Sequence, residues 1–290
     1  MQQTSDPHRS VPTRRISFEP TLAGLPRHFA AEGDLIRSHL TAMLSAMFPD
    51  GEDFFVRSVR HYRAEITDPA LKEQVRGFIG QEATHGREHR ELNERLAELG
   101  YPTARLERIT RFGLGMRTRY APPIANLALT AALEHFTATM AESLLANDEL
   151  RSEFAHDGIR DLFLWHALEE SEHKAVAFDV YRAVGGSERI RVWTMKGLRP
   201  GFIAWTAVHV ALSLLRDPAA RERGALRRSW RSFKQSKLAS REMWEQLKDY
   251  DRSDFHPNDR DTSALEATWR ERLFGTEGEL NGLLATSAAA

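Results

Sequence analysis

The chain has 290 residues, no cysteine, 12 histidines and a formal net charge of −1. The lack of cysteine excludes disulfides, iron-sulfur clusters and thiolate catalysis and fits a reducing cytoplasm, while the near-zero charge gives no overall attraction to nucleic acid. The length allows one large domain with a substantial core.

Residues 1–30 are polar and contain proline, and Arg14-Arg15 is not followed by an apolar signal core, so this stretch reads as a flexible leader. Strand signals are nearly absent, and Ala, Leu, Glu and Arg recur at helical spacing, which predicts an all-α fold. A helix is expected from Asp34 to Met47, broken at Phe48-Pro49-Asp50-Gly51, and another from Glu52 to Ile66. Asp68 and Pro69 supply an N-cap and first helical residue for a helix over Pro69–Leu99, stopped by Gly100 and Pro102. The Arg-rich stretch Tyr101–Ala121, punctuated by Gly113 and Gly115, reads as a long connection with one short helix. Helices over Pro123–Ala146 and Asp157–Val184 follow, the second stopped by Gly185-Gly186.

Two hairpins joined by a long crossover define a ferritin-like four-helix bundle with additional N- and C-terminal helices. The bundle core occupies 51–185 of a helical metal-binding domain over 31–250, with added helices in 187–250 and a C-terminal tail at 251–290. Two or three helices are expected beyond Ser187. Gly201–Leu215, the longest uncharged run, is too short to span a bilayer and reads as a buried helix, so no transmembrane segment is expected. The basic stretch Arg216–Arg241 reads as an amphipathic packing helix, not a nucleic-acid site.

The segment WHALEESEHKAVAFDVY, Trp165–Tyr181, carries His166, Glu169, Glu170 and His173 on one helical face that its apolar neighbours direct inward. Glu170-x-x-His173 has a counterpart in Glu82-x-x-His85. Chance alone supplies roughly one such pair in a chain of this composition, and Glu153-x-x-His156 is read as that accident. Height in the bundle separates them. Glu52 lies 16 residues before the Asp68 turn and Glu82 lies 14 after it, so the two agree in height within about 3 Å. Glu134 and Glu170 are similarly matched about the second turn, near Arg151, whereas Glu153 has no counterpart at its level.

The resulting order is Glu52, Glu82/His85, Glu134, Glu170/His173, the ligand pattern of dinuclear carboxylate sites, with four carboxylates balancing two divalent cations. Oxygen and nitrogen donors favour Fe or Mn, with Zn an alternative. His166, one turn before Glu170, is a candidate seventh ligand. Glu169 reads as a support to a ligand or a surface acid, and Glu172 as part of a solvated face. His89 and His135 are alternate ligands or supports, and Gly80 and Gly86 are sites of close approach. Phe55, Phe78, Phe136 and Trp165 are expected to shield the centre.

The motifs FPDGEDFFVRSVRHY, ITDPALKEQVRGFIGQEATHGREH, LTAALEHFTATMAE and LWHALEESEHKAVAFDVY resemble those of the bacterial predicted metal-dependent hydrolase family, over roughly Ala42–His256. More distantly, the His-x-x-x-Glu-x-x-His helix is similar to that of di-iron arylamine N-oxygenases. That resemblance implies the ligand set Glu52, Glu82, His85, Glu134, His166, Glu170 and His173. The expected function is a di-iron, O2-activating oxidase or oxygenase acting on an apolar organic substrate. The alternatives are a hydrolase that uses a metal-bound water and a non-catalytic metal-binding or storage protein. Expected partners are a small organic substrate, O2 and, for an oxygenase, an electron donor, with no nucleic acid; a homodimer is left open.

Overall fold

The structure, a computed structural model, describes residues 10–285. Asp34 caps α1, Leu35–His61, by accepting the Arg37 N–H at 2.9 Å. The break expected at Pro49 does not occur. Proline removes the N–H that would bond the Ser45 carbonyl, but Asn93 Nδ2 donates to that carbonyl at 3.1 Å, so the helix continues past it. The helix then stops at His61, before the expected Ile66.

Asp68 accepts the Ala70 N–H at 2.9 Å and Pro69 opens α2, Pro69–Glu98, which ends before Gly100 at φ +92°. The expected long connection is instead a full helix, α3, Thr103–Tyr120. Its glycines do not interrupt it: a Cβ at Gly113 or Gly115 would meet nothing within 4 Å, so each costs only its intrinsic helix penalty of about 1 kcal/mol. The buried Leu106 meanwhile anchors α3 against Met43 and Ala46 of α1.

The second hairpin is α4, Pro123–Ala146, a short α5, Asp148–Ser152, in its turn, then α6, Asp157–His173, and α7, Val176–Ala183. The single helix expected to Val184 is divided at Lys174-Ala175. There the buried Lys174 ammonium donates to Glu142 Oε1 and to the Arg260 carbonyl, each at 2.9 Å. Gly185, at φ +76°, ends α7.

Beyond Ser187 the described residues form α8, Glu188–Leu214, α9, Ala225–Gln235, α10, Arg241–Asp249, and α11, Ser263–Phe274, one more than expected. The basic stretch does contain an amphipathic helix, α9, packed on α1 through buried Ser229. The Gly201–Leu215 run, expected to be buried, exposes Ile203, Val208, Leu212 and Leu215. No helix among the described residues is long and apolar enough to cross a membrane.

α1 packs on α2, and α4 on α6 and α7, with the hairpins joined face to face. Ser45 meets His89 and Asn93, Ser58 meets Thr130, and Gln81 meets His173, so α1 runs antiparallel to α2 and α4, and α2 antiparallel to α6. This is the ferritin-like up-down-down-up arrangement. From Ser10 onward the leader is not a free coil. Ile16, Phe18, Leu22, Leu25 and Phe29 are buried with Leu92 and Trp165, and the start of the chain bridges its far end at Ile16 and Leu284. The C-terminal tail likewise buries Trp269, Leu273 and Leu280.

Candidate metal centre

The bundle brings all seven sequence-predicted residues together at mid-height, all buried: Glu52 from α1, Glu82 and His85 from α2, Glu134 from α4, and His166, Glu170 and His173 from α6. Two groups have ligand atoms within 4.8 Å of one another, Glu52/His85/His166 and Glu82/Glu170/His173. Glu134 joins the second, with Oε2 3.3 Å from His173 Nε2. The groups are linked by Glu170, whose Oε1 is 2.9 Å from His166 Nε2 and 3.6 Å from His173 Nε2. Glu170 thus stands between the two groups.

Supporting residues decide which imidazole nitrogen faces the centre. Asn93 uses its N–H groups on the Ser45 carbonyl and, at 2.8 Å, on Glu107 Oε1, so its Oδ1 accepts the Ser45 hydroxyl at 2.7 Å. Ser45 Oγ therefore accepts from His89 Nδ1 at 2.9 Å, and the bare His89 Nε2 accepts from His166 Nδ1 at 2.8 Å. His166 Nε2 is left to face the carboxylates. The same logic holds across the bundle. Gln81 Nε2 donates to the Pro12 carbonyl at 3.0 Å and to Glu172 at 2.9 Å, so its Oε1 accepts from His173 Nδ1 at 2.8 Å and His173 Nε2 points inward. His85 Nε2 meets Glu169 Oε2 at 3.0 Å, which turns Nδ1 toward the centre. All three imidazoles present a defined nitrogen, as carboxylate- and carbonyl-oriented metal ligands do.

Inside this shell both oxygens of Glu52, Glu82 and Glu134, together with Glu170 Oε2, His85 Nδ1 and His173 Nε2, make no hydrogen bond. Buried polar atoms in such numbers are very costly unless a cation binds them. The acid-base pattern agrees. Burial and then the neighbouring acids raise Glu52 and Glu82 well above the usual carboxylate range, and burial pushes Glu134 up to about 7. Against its burial, the neighbouring His173 and His166 hold Glu170 well below that range; burial and then His166 hold His85 and His89 far below the usual imidazole value. Four packed carboxylates cannot all be ionised without cations, and a donor set of carboxylates and imidazoles suits metal ions.

The structure corrects the sequence-based reading of Glu172 and His135 and bears out those of Glu169, Glu153 and the two glycines. Glu172 is not on a solvated face but fully buried, held by Arg14 and Arg270, each at 2.8 Å. Glu169 is a support, with Arg14 Nη1 at 2.8 Å; burial still pushes its carboxyl up to about 8. His135 is no alternate ligand: it donates from Nε2 to the Gln246 carbonyl at 3.0 Å, and burial lowers it to about 4. Glu153 pairs with Arg37 at 3.0 Å and stays outside the cluster. A Cβ at Gly86 would come within 3.2 Å of Glu52 Oε2, so this glycine makes room for a candidate ligand, whereas Gly80 makes room for Thr13 of the N-terminal segment.

Phe78 and Trp165 sit edge-on against His173 and His85, with centroids 4.9 Å apart in each pair. Phe55 and Phe136 line a cavity of about 310 Å³ that reaches Glu52 between α1, α3, α4 and α8. A second cavity, of about 100 Å³, adjoins it at Leu44, Thr137 and Met140 and reaches His166 and Glu170. Phe48 lines both and packs edge-on on His166 at 4.8 Å. Phe48, Ser45, Gln81 and Asn93 escaped the sequence reading; only helical spacing, Ser45 one turn before Pro49 and Gln81 beside Glu82, could have pointed to them.

A family profile described as predicted metal-dependent hydrolase matches residues 12–261. The chain belongs to this family. No curated protein and no solved structure matches it.

Proposed function

We propose that the protein is a dinuclear metal enzyme, with iron as the first candidate, that activates O2 to oxidise an apolar organic substrate. The observation that carries this reading is the meeting of a seven-donor cluster of four carboxylates and three oriented imidazoles with an apolar cavity that reaches Glu52. When bound, the ions would supply Lewis acidity and, if redox-active, electrons for O2 reduction. The protein's own part is positional. The Asn93–Ser45–His89 chain fixes His166 and Gln81 fixes His173, while Phe48, Phe78 and Trp165 keep bulk water from the centre. Such a water-poor, apolar setting suits an oxidising centre and an apolar substrate.

The family description favours a second reading, metal-dependent hydrolysis. Among the residues lining the larger cavity Glu52, itself a candidate ligand, is the one ionisable side chain, so that wall offers no separate acid for a leaving group. Metal analysis of protein purified without added metal, with optical spectra before and after anaerobic reduction and O2 exposure, separates the two. Iron with an O2-dependent spectrum supports oxidation; a redox-silent zinc protein that cleaves esters or amides would overturn it.

A further inference from the structure

We propose that the slot between α3 and α8 docks on an anionic lipid surface, so that the cavity draws its substrate from the bilayer. The second half of this statement rests on the apolar-substrate reading above; the docking itself does not.

The larger cavity is walled by Ile109 and Gly113 of α3 and by Gly201, Phe202 and Trp205 of α8. A smaller cleft continues the slot between the start of α3 and the end of α8, lined by Arg105, Leu212 and Arg216. One helical turn from the cavity wall, Phe112 and Met116 stand 70% and 41% exposed on α3, and Val208 is 53% exposed on α8. These side chains flank the mouth and stand open to solvent.

The same stripe of α3 carries Arg105, Arg108, Arg119 and Tyr120, at spacings that place them beside Phe112 and Met116, and all are exposed. The one acid of α3, Glu107, lies on another face and accepts from Asn93. On α8, Trp193 is 69% exposed with the Lys196 ammonium 5.6 Å from its ring. Apolar and aromatic side chains among cations form the interfacial pattern of a surface-lying helix.

Charge decides among occupants. A two-fold pairing of this face with a second copy would set arginine against arginine. Nucleic acid would match the charge but leave Phe112, Met116 and Val208 without partners, whereas an anionic bilayer supplies both headgroup charge and hydrocarbon. Because no helix among the described residues spans a membrane, attachment would be peripheral.

The test is co-sedimentation of the full-length, metal-loaded protein with vesicles of phosphatidylcholine alone and of phosphatidylcholine mixed equally with phosphatidylglycerol. Binding is expected to the mixed vesicles, weakened by about fivefold for each of Arg108→Glu and Arg119→Glu and by a comparable factor for Phe112→Ser/Met116→Ser. Metal content and circular dichroism should stay unchanged, since these side chains are exposed. Equal or absent partition onto both vesicles would overturn the proposal. So would a dimer in sedimentation velocity that Phe112→Ser dissociates, or tighter binding to mixed-sequence DNA than to the vesicles. Leu129→Trp, which fills the cavity, separates this from the substrate reading: it should abolish calorimetric binding of 1-dodecanol while leaving vesicle binding intact. Vesicle binding without dodecanol binding by the wild type would overturn substrate entry through this slot.

Discussion

Asn93 donates its amide N–H to the carbonyl of Ser45, the acceptor that Pro49 leaves without a helical donor. One side chain thereby repairs α1 and, through its oxygen, sets the hydrogen-bond direction of Ser45, His89 and His166. Asn93→Leu should cost about 2 kcal/mol, from a buried carbonyl left unsatisfied. In the metal-loaded protein it should also shift the ligand-field spectrum by releasing the His166 ring. Urea denaturation and optical spectroscopy check the two effects, and a lower stability with an unchanged spectrum would break the link to His166.

Glu82→Ala and Glu170→Ala should each lose much of the bound metal and its stabilisation, because each removes a carboxylate from the centre of the cluster. Glu153→Ala, which breaks only the pair with Arg37, should keep the metal. Elemental analysis of the three purified proteins decides, and equal content in all would refute the assigned ligand set.

His166→Ala should retain both ions but make their environments more alike, visible as a changed Mössbauer or optical spectrum and a slowed reaction with O2. Six of the seven donors remain, including Glu170, which links the two groups. Loss of both ions would instead give His166 an assembly role.

Away from the centre, Asp217 accepts from His28 at 2.8 Å and from His39 at 2.9 Å, joining the N-terminal segment and α1 to the residues after α8. The bonds from His28 and His39 outweigh burial and hold its carboxyl well below the usual carboxylate range. A depressed acid stabilises the fold above its unfolded pKa, about 3.8, and that contribution fades as pH falls through the lower folded value. His39 is lowered by burial, so the unfolded chain takes up its proton first and stability declines as pH drops below about 6.5. Asp217→Asn should therefore cost about 3 kcal/mol at pH 7. Denaturation curves taken from pH 4 down to pH 2 should show the gap to wild type narrowing, and a gap that widens over that range would contradict the assignment.

Helical periodicity, the Asp68-Pro69 start and the matched heights of Glu52 with Glu82 and Glu134 with Glu170 made the bundle and its seven inward residues legible from sequence alone. What stayed hidden depends on partners far along the chain. Pro49 reads as a break because Asn93, which neutralises it, lies 44 residues farther along. Glu172 looks like a solvated acid until Arg14 and Arg270 are brought to it. The glycines of α3 mark a loop by local preference, but packing of Leu106 on α1 overrides them.

The Glu172 carboxylate ties remote parts of the chain to the centre. It accepts from Gln81, which orients the ring of His173, and is gripped by Arg14 of the N-terminal segment and by Arg270, 98 residues beyond it. All seven candidate ligands lie between these two arginines in the chain, and neither arginine is on a ligand-bearing helix. The centre is thereby braced from before α1 and from α11, by contacts that lie outside the four helices that carry its donors.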